Sequence, residues 1–279
     1  MRIAISNIAW ETDEDEQVAA LLNKHQIDAI DVAPGKYFSD PRSVTATELK
    51  WVRDWWQSRD ISITGMQALL FGTKGLNLFG SQDSQKAMLG HLEAVCRIGE
   101  GLGASKLVFG SPRNRDCSGL TGHEIEDISI QFFRALGEIA ARHGVVVCLE
   151  PNPPCYGANF MTNSADTAKT VIAVNHPAIR MQLDTGALAI NGEDAETVIE
   201  AYSQLIGYVH ASEPDLATLG DGGVDHMAIG ALLADKLPEQ IVSIEMLQAK
   251  QVPNIVSIKR ALAVAIRGYS FPAATGMGT

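Results

Sequence analysis

The stretch Val145-Val146-Val147-Cys148-Leu149-Glu150-Pro151-Asn152 is a short β-branched run that closes on an acid and is then followed by proline. It reads as a strand over 145–150. Outward from it in both directions, runs of the same kind recur at 2–6, 29–32, 61–66, 106–110, 179–183, 207–211 and 241–245, giving eight strand candidates. Longer stretches with helical spacing lie between them, among them 15–25, 47–59, 82–102, 123–143, 164–174 and 195–202. In the first, Val18, Leu21 and Leu22 fall on one face; in the second, Leu49, Val52, Trp55 and Trp56 do the same. Trp51, Trp55 and Trp56 are accordingly read as packing residues. Thr121 followed by Glu124 has capping-box spacing, and Ser164 and Asp225 are good N-cap types.

The strands recur at about 30 residues, the length of one βα unit, and no Pro/Gly/Ser-rich linker divides the chain. The fold expected is therefore α/β, a single (βα)8 TIM barrel over 1–271, with the Gly/Ala/Thr-rich segment 272–279 as a disordered tail. A doubly wound open sheet would call for a glycine-rich phosphate turn after the first strand. The residues there, Ser6-Asn7-Ile8-Ala9-Trp10, include no glycine.

Apolar residues make up 46% of the 279, enough for a large core. No stretch has the roughly 18 successive apolar residues of a membrane helix, and Met1 to Ile5 runs directly into a strand pattern, so a cytoplasmic location with no membrane partner is expected. With 22 basic and 33 acidic residues the net charge is −11, and no basic cluster is present to follow a phosphate backbone. Nucleic acid is not expected as a partner. Cys96, Cys117, Cys148 and Cys155 form no C-x-x-C pair and read as free thiols.

In a barrel the chemistry sits where the strands end. The last four strand candidates end Leu149-Glu150-Pro151-Asn152, Leu183-Asp184-Thr185-Gly186, Val209-His210-Ala211-Ser212 and Ile244-Glu245-Met246-Leu247. An acid at a strand end is usually a turn former or a helix cap. Four ligand-type residues at one height on four successive strands are better explained by a shared cation. Three carboxylates around one mouth would otherwise raise each other's pKa by repulsion. Glu150, Asp184, His210 and Glu245 are thus candidate ligands of one divalent metal. Oxygen donors with one imidazole favour Mn²⁺ or Mg²⁺, and Co²⁺ or Zn²⁺ could substitute.

These four segments, taken in order, resemble the xylose-isomerase-like TIM-barrel superfamily, specifically its sugar (phosphate) isomerase and epimerase branch, over nearly the whole chain. The resemblance implies one divalent ion held by Glu150, Asp184, His210 and Glu245. It implies a small carbohydrate-like substrate and proton removal and return by Glu150 and Glu245 through an enediolate, and it makes a homodimer or homotetramer an expected assembly. The chain also departs from the family's pattern. Ketose 3-epimerases of this group usually carry a histidine shortly after the acid of the sixth strand, where Asp184-Thr185-Gly186-Ala187 has none. They also tend to place an arginine about seven residues past the histidine of the seventh strand; His210 is followed by Ala211-Ser212-Glu213-Pro214-Asp215-Leu216. DNA-repair endonucleases on the same barrel need extra histidines for a trinuclear zinc site, and here the third and fourth strands close on Gln67 and Ser111. A dehydratase of the inosose type would use the same residues, and a non-catalytic sugar-binding barrel is the third alternative.

Around the mouth, Arg113 or Arg115 is a candidate clamp for a substrate carboxylate or phosphate. Gln67 and Asn152 are candidates for hydrogen bonds to substrate hydroxyls. Trp10, Tyr37, Phe71 and Tyr156 follow strand ends and are candidate walls, with Trp10 taken as a substrate contact. The run Gly220-Asp221-Gly222-Gly223-Val224-Asp225-His226 lacks the lysine of a phosphate loop and reads as a loop before a helix capped by Asp225, with His226 on the helix surface.

Overall fold

The computed structural model describes residues 1–270, so the expected tail at 272–279 lies outside the described residues. Eight parallel strands close a barrel in chain order: β1 Arg2–Ser6, β2 Ala29–Val32, β3 Ser62–Met66, β4 Lys106–Phe109, β5 Val146–Leu149, β6 Ile179–Asp184, β7 Ile206–Ser212 and β8 Ile241–Glu245. Pairing of Arg2 with Ile241 through Ile5 with Ile244 joins β8 back to β1. The strands are short and β-branched because both faces are covered, one by the packed barrel interior and one by helices. All seven residues of β7 are buried.

The outer ring is α1 Asp15–Lys24, α2 Ala46–Gln57, α3 Gln82–Leu102, α4 Gly122–Arg142, α5 Ser164–Val174, α7 Ala195–Tyr202, α8 His226–Lys236 and α9 Asn254–Tyr269. A further short helix, α6 Thr185–Asn191, follows β6 directly. The helices begin where local chemistry satisfies their free N–H groups. Thr121 and Glu124 make the expected capping box on α4, as Thr45 and Glu48 do on α2, and Asp225 accepts from Ala228 N at 3.0 Å to start α8. Ser164 is the first residue of α5 and Asn163 its cap.

One core links helices to barrel, with Trp56, Leu92, Phe133, Leu136, Ile258 and Leu262 all buried in it. Trp51 departs from the expected packing role. Its side chain is 66% exposed, because Leu49, Val52 and Trp56 take the inward face of α2. Among the described residues no helix is long and apolar enough to cross a membrane.

Candidate metal centre and active site

Asp184 and Glu245 are the last residues of β6 and β8, His210 lies within β7, and Glu150 follows β5, with its N–H still bonded to Phe109 O at 3.1 Å. Asp184 pairs with His210, and Ser212 with Glu245, across neighbouring strands. The four expected ligands therefore converge. Each offers one ligand atom, and these atoms lie within 4.8 Å of one another. His210 Nδ1 is 3.2 Å from Glu245 Oε2 and 3.7 Å from Glu150 Oε1. All four residues are buried, yet neither ring nitrogen of His210 has a hydrogen-bond partner among the described residues.

Each carboxylate is held by its own donors. Asn152 Nδ2 donates to Glu150 Oε2 at 2.9 Å. Arg115, itself fully buried, donates to Glu150 O at 2.8 Å and also to Asn152 Oδ1. Both oxygens of Asp184 lie 2.8 Å from the Ser212 hydroxyl, and its Oδ1 accepts from Ala187 N at 2.6 Å as the N-cap of α6. Gln67 Nε2 donates to Glu245 Oε1 at 2.6 Å. Gly110 makes room for Glu150, since a Cβ at that position would stand 1.9 Å from Glu150 Oε2.

Burial, with the charges of Glu245 and Glu150, raises the Asp184 pKa to about 8. Burial alone would lower the pKa of His210, but the Glu245 charge and contacts with Asp31, Glu150 and Glu245 raise it well above its usual value. Burial works against ionisation of Glu245, and the facing His210 charge with the Gln67 hydrogen bond lowers its pKa nonetheless. Both raised pKa values favour a bound proton on Asp184 and on His210 when no cation is present. A divalent ion can take the place of those protons, because buried carboxylates need either protons or a counter-charge. Three carboxylates and an unpaired imidazole nitrogen within one small sphere fit such an ion.

Two lobes of one cavity flank the centre. The larger, of about 520 Å³, is lined by Gln67, Lys36, Phe71 and Leu69 among others; the second, of about 430 Å³, by Asn152, Tyr156, Asp184 and Glu213. Gly110, Glu150 and Glu245 line both.

Gln67 and Asn152 thus stand at the mouth as expected, although both are already bonded to the glutamates. Arg113 does not join them. It is exposed and lines neither lobe, whereas Arg115, two residues on, is turned inward by the Pro112–Asn114 turn. The expectation for Trp10 is also corrected: its side chain is fully buried, its Nε1 donates to Asp15 Oδ1 at 2.7 Å, and its ring packs on Trp56. Tyr37 bonds the other oxygen of Asp15 at 2.8 Å. Phe71, 88% exposed, and Tyr156 do border the cavity. His226 is buried rather than on the helix surface. Its Nδ1 lies 2.7 Å from Tyr269 Oη and its Nε2 3.1 Å from Glu213 Oε1, while Glu213 accepts from Gly220 N and Val224 N and so pins the glycine-rich loop.

Sequence reasoning missed Lys36 and Ser212. Period-two alternation along β7 would have found Ser212, which shares a face with His210. Lys36 carries no strand-end signal; it follows Pro34-Gly35 in a turn, where its ammonium lies 3.4 Å from Glu11 Oε2.

No curated protein matches the chain in sequence. Among solved structures it is similar to a D-psicose 3-epimerase in the presence of D-fructose, with 18% identity, TM-score 0.79, and 96% of this chain and 99% of that one covered. It is similar to a 3-keto-D-glucoside 4-epimerase from E. coli, at 16% identity, TM-score 0.77, and 94% and 98% coverage. A third similar structure is the IolI protein with a zinc atom, at 17% identity, TM-score 0.74, and 97% and 100% coverage. The model of the xylose isomerase-like TIM barrel matches residues 19–266, and the chain belongs to that family.

Proposed function

We propose that the protein is a divalent-metal-dependent isomerase or epimerase of a small keto-sugar or related hydroxy-ketone. The observation that carries this reading is the convergence of Glu150, Asp184, His210 and Glu245 between two lobes of one cavity. Mn²⁺ or Mg²⁺ suits the donor set, and the zinc atom of the IolI protein supports acceptance of other divalent ions. A cation bound by these residues would supply Lewis acidity towards a substrate carbonyl and its neighbouring hydroxyl, which would acidify the C–H of the hydroxyl-bearing carbon next to the carbonyl.

The chain supplies the proton transfer. Glu150, just after β5, and Glu245, at the end of β8, border both lobes, so one carboxylate removes the proton and the other returns it. Asn152 and Arg115 fix Glu150, and Gln67 fixes Glu245. Two independently held bases suit inversion at carbon, which needs a group on each face. Gln67 Oε1 is buried and has no partner among the described residues.

An uncharged substrate is favoured. Lys36 is the one cation lining either lobe among the described residues, and Glu11 stands beside it. The epimerases of similar fold, named for D-psicose and a 3-keto-D-glucoside, support the carbohydrate class.

The test is incubation of Mn²⁺-loaded protein with a panel of ketoses and keto-glycosides in deuterated water, followed by NMR. The expected result is deuterium at the inverted or isomerised carbon with no loss of water. An unsaturated or diketo product would make the protein a dehydratase, and lack of exchange or turnover with every member of the panel would overturn the reading.

A further inference from the structure

Beneath the metal centre the barrel interior is polar where packed apolar layers are the rule. Asp31 of β2 is fully buried there. The Tyr208 hydroxyl lies 2.7 and 2.8 Å from its two oxygens, and Thr64 Oγ1 donates to Oδ1 at 3.3 Å. Gly65 gives it space, since a Cβ on that residue would come within 2.5 Å of Asp31 Oδ1. A buried carboxylate is costly unless it faces a donor or a cation. Among the described residues, the one side chain within ion-pair distance that can offer it an N–H or a positive charge is His210, whose Nε2 lies 3.8 Å from Asp31 Oδ2. The Tyr208 ring meets the imidazole edge-on at 5.8 Å and limits its rotation.

An imidazole can give a metal one nitrogen only when the other carries the proton. His210 turns Nδ1 towards Glu150 and Glu245 and Nε2 towards Asp31. We propose that Asp31 is a positioning residue for the metal centre: it holds the His210 proton on Nε2 and so presents the Nδ1 lone pair to the ion, with Tyr208 orienting the carboxylate. Outer partners of this kind tune ligand basicity and ring orientation. The inference rests on the metal-site reading above and adds to it a residue 119 positions before Glu150 that does not touch the ion.

Two measurements test it. In the unaltered protein loaded with Zn²⁺, nitrogen-15 NMR of the histidine side chains should show His210 with a metal-shifted Nδ1 and a protonated Nε2. In EDTA-stripped protein titrated against a chromophoric chelator, Asp31→Asn should weaken Zn²⁺ and Mn²⁺ binding by about 10- to 100-fold. Tyr208→Phe, which leaves the carboxylate in place, should weaken it less. Coordination through Nε2, or a folded Asp31→Asn protein with unchanged affinity, would overturn the proposal. If Asp31→Asn does not fold, the spectrum of the unaltered protein decides. Lack of metal binding by the unaltered protein would overturn the metal site and this inference together, whereas binding that is indifferent to Asp31 would overturn the inference alone.

Discussion

Gly110→Ala should cripple the proposed activity while leaving the barrel folded. The added Cβ would lie 1.9 Å from Glu150 Oε2 and 2.9 Å from its Cδ, whereas ordinary contact begins at 3.4 Å. The carboxylate oxygen must therefore retreat by about 1.5 Å. Glutamate has rotatable bonds to make that retreat, so the overpacking cost should be small, at most about 1–3 kcal/mol. For a domain of this size that lowers the melting temperature by about 2–4 °C per kcal/mol. The chemistry is less forgiving. The retreat breaks the 2.9 Å Asn152 bond and moves one of the two proposed proton-transfer groups away from the centre it shares with Asp184, His210 and Glu245. A displacement of about 1 Å commonly costs around 10²-fold in rate. We expect kcat to fall by about 100-fold or more, and Mn²⁺ affinity to drop in calorimetric titration. Gly90→Ala, which meets nothing within 4 Å on the exposed side of α3, is the control and should match the unaltered protein in both measurements. Full activity and full metal affinity in Gly110→Ala would show that Glu150 does not act from its assigned place.

Other perturbations separate positioning from contact. Arg113→Ala should leave melting temperature and turnover unchanged, while Arg115→Met strands the acceptors Glu150 O and Asn152 Oδ1 and should cost about 1–3 kcal/mol for each in chemical denaturation. Metal-stripped protein should lose stability as pH rises from about 4 to about 8. Asp184 has its folded-state pKa raised from 3.8 to about 8, so the folded state holds a proton there that the unfolded chain releases, and the raised pKa of His210 acts in the same direction. Thermal melts across that range should show this decline, and the stabilisation gained on adding Mn²⁺ should grow with pH. A stability rising with pH in the stripped protein would contradict the proton-for-metal exchange. His226→Ala removes a buried partner of Glu213 and Tyr269, and amide exchange at Gly220 and Val224 should speed up without loss of metal binding.

The barrel and the convergence of four candidate ligand residues were legible because each signal is local. A β-branched run closing on Glu, Asp or His marks both a strand and the height at which its last side chain stands. What escaped depends on distant or dual roles. The helix at Thr185–Asn191 is only seven residues long, too short to display a periodic face, and it starts from Asp184, the same residue read as a ligand. Arg113 and Arg115 are equivalent in sequence, and only the turn between them sends one to solvent and the other under Glu150. His226 and Trp10 were misplaced for a related reason. The burial of His226 depends on Tyr269, 43 residues away, and Trp10 is drawn inward by Asp15 and Trp56. Asp31 looked like an ordinary strand residue because neither Gly65 nor Tyr208 signals that space and a hydroxyl await it.

The most direct test of the account is an anomalous difference map from crystals of the protein grown with Mn²⁺. A single peak at about 2.0–2.3 Å from one atom each of Glu150, Asp184, His210 and Glu245 is the expected result. Diffraction from a well-ordered site with no peak there, or with manganese held by other side chains, would contradict it.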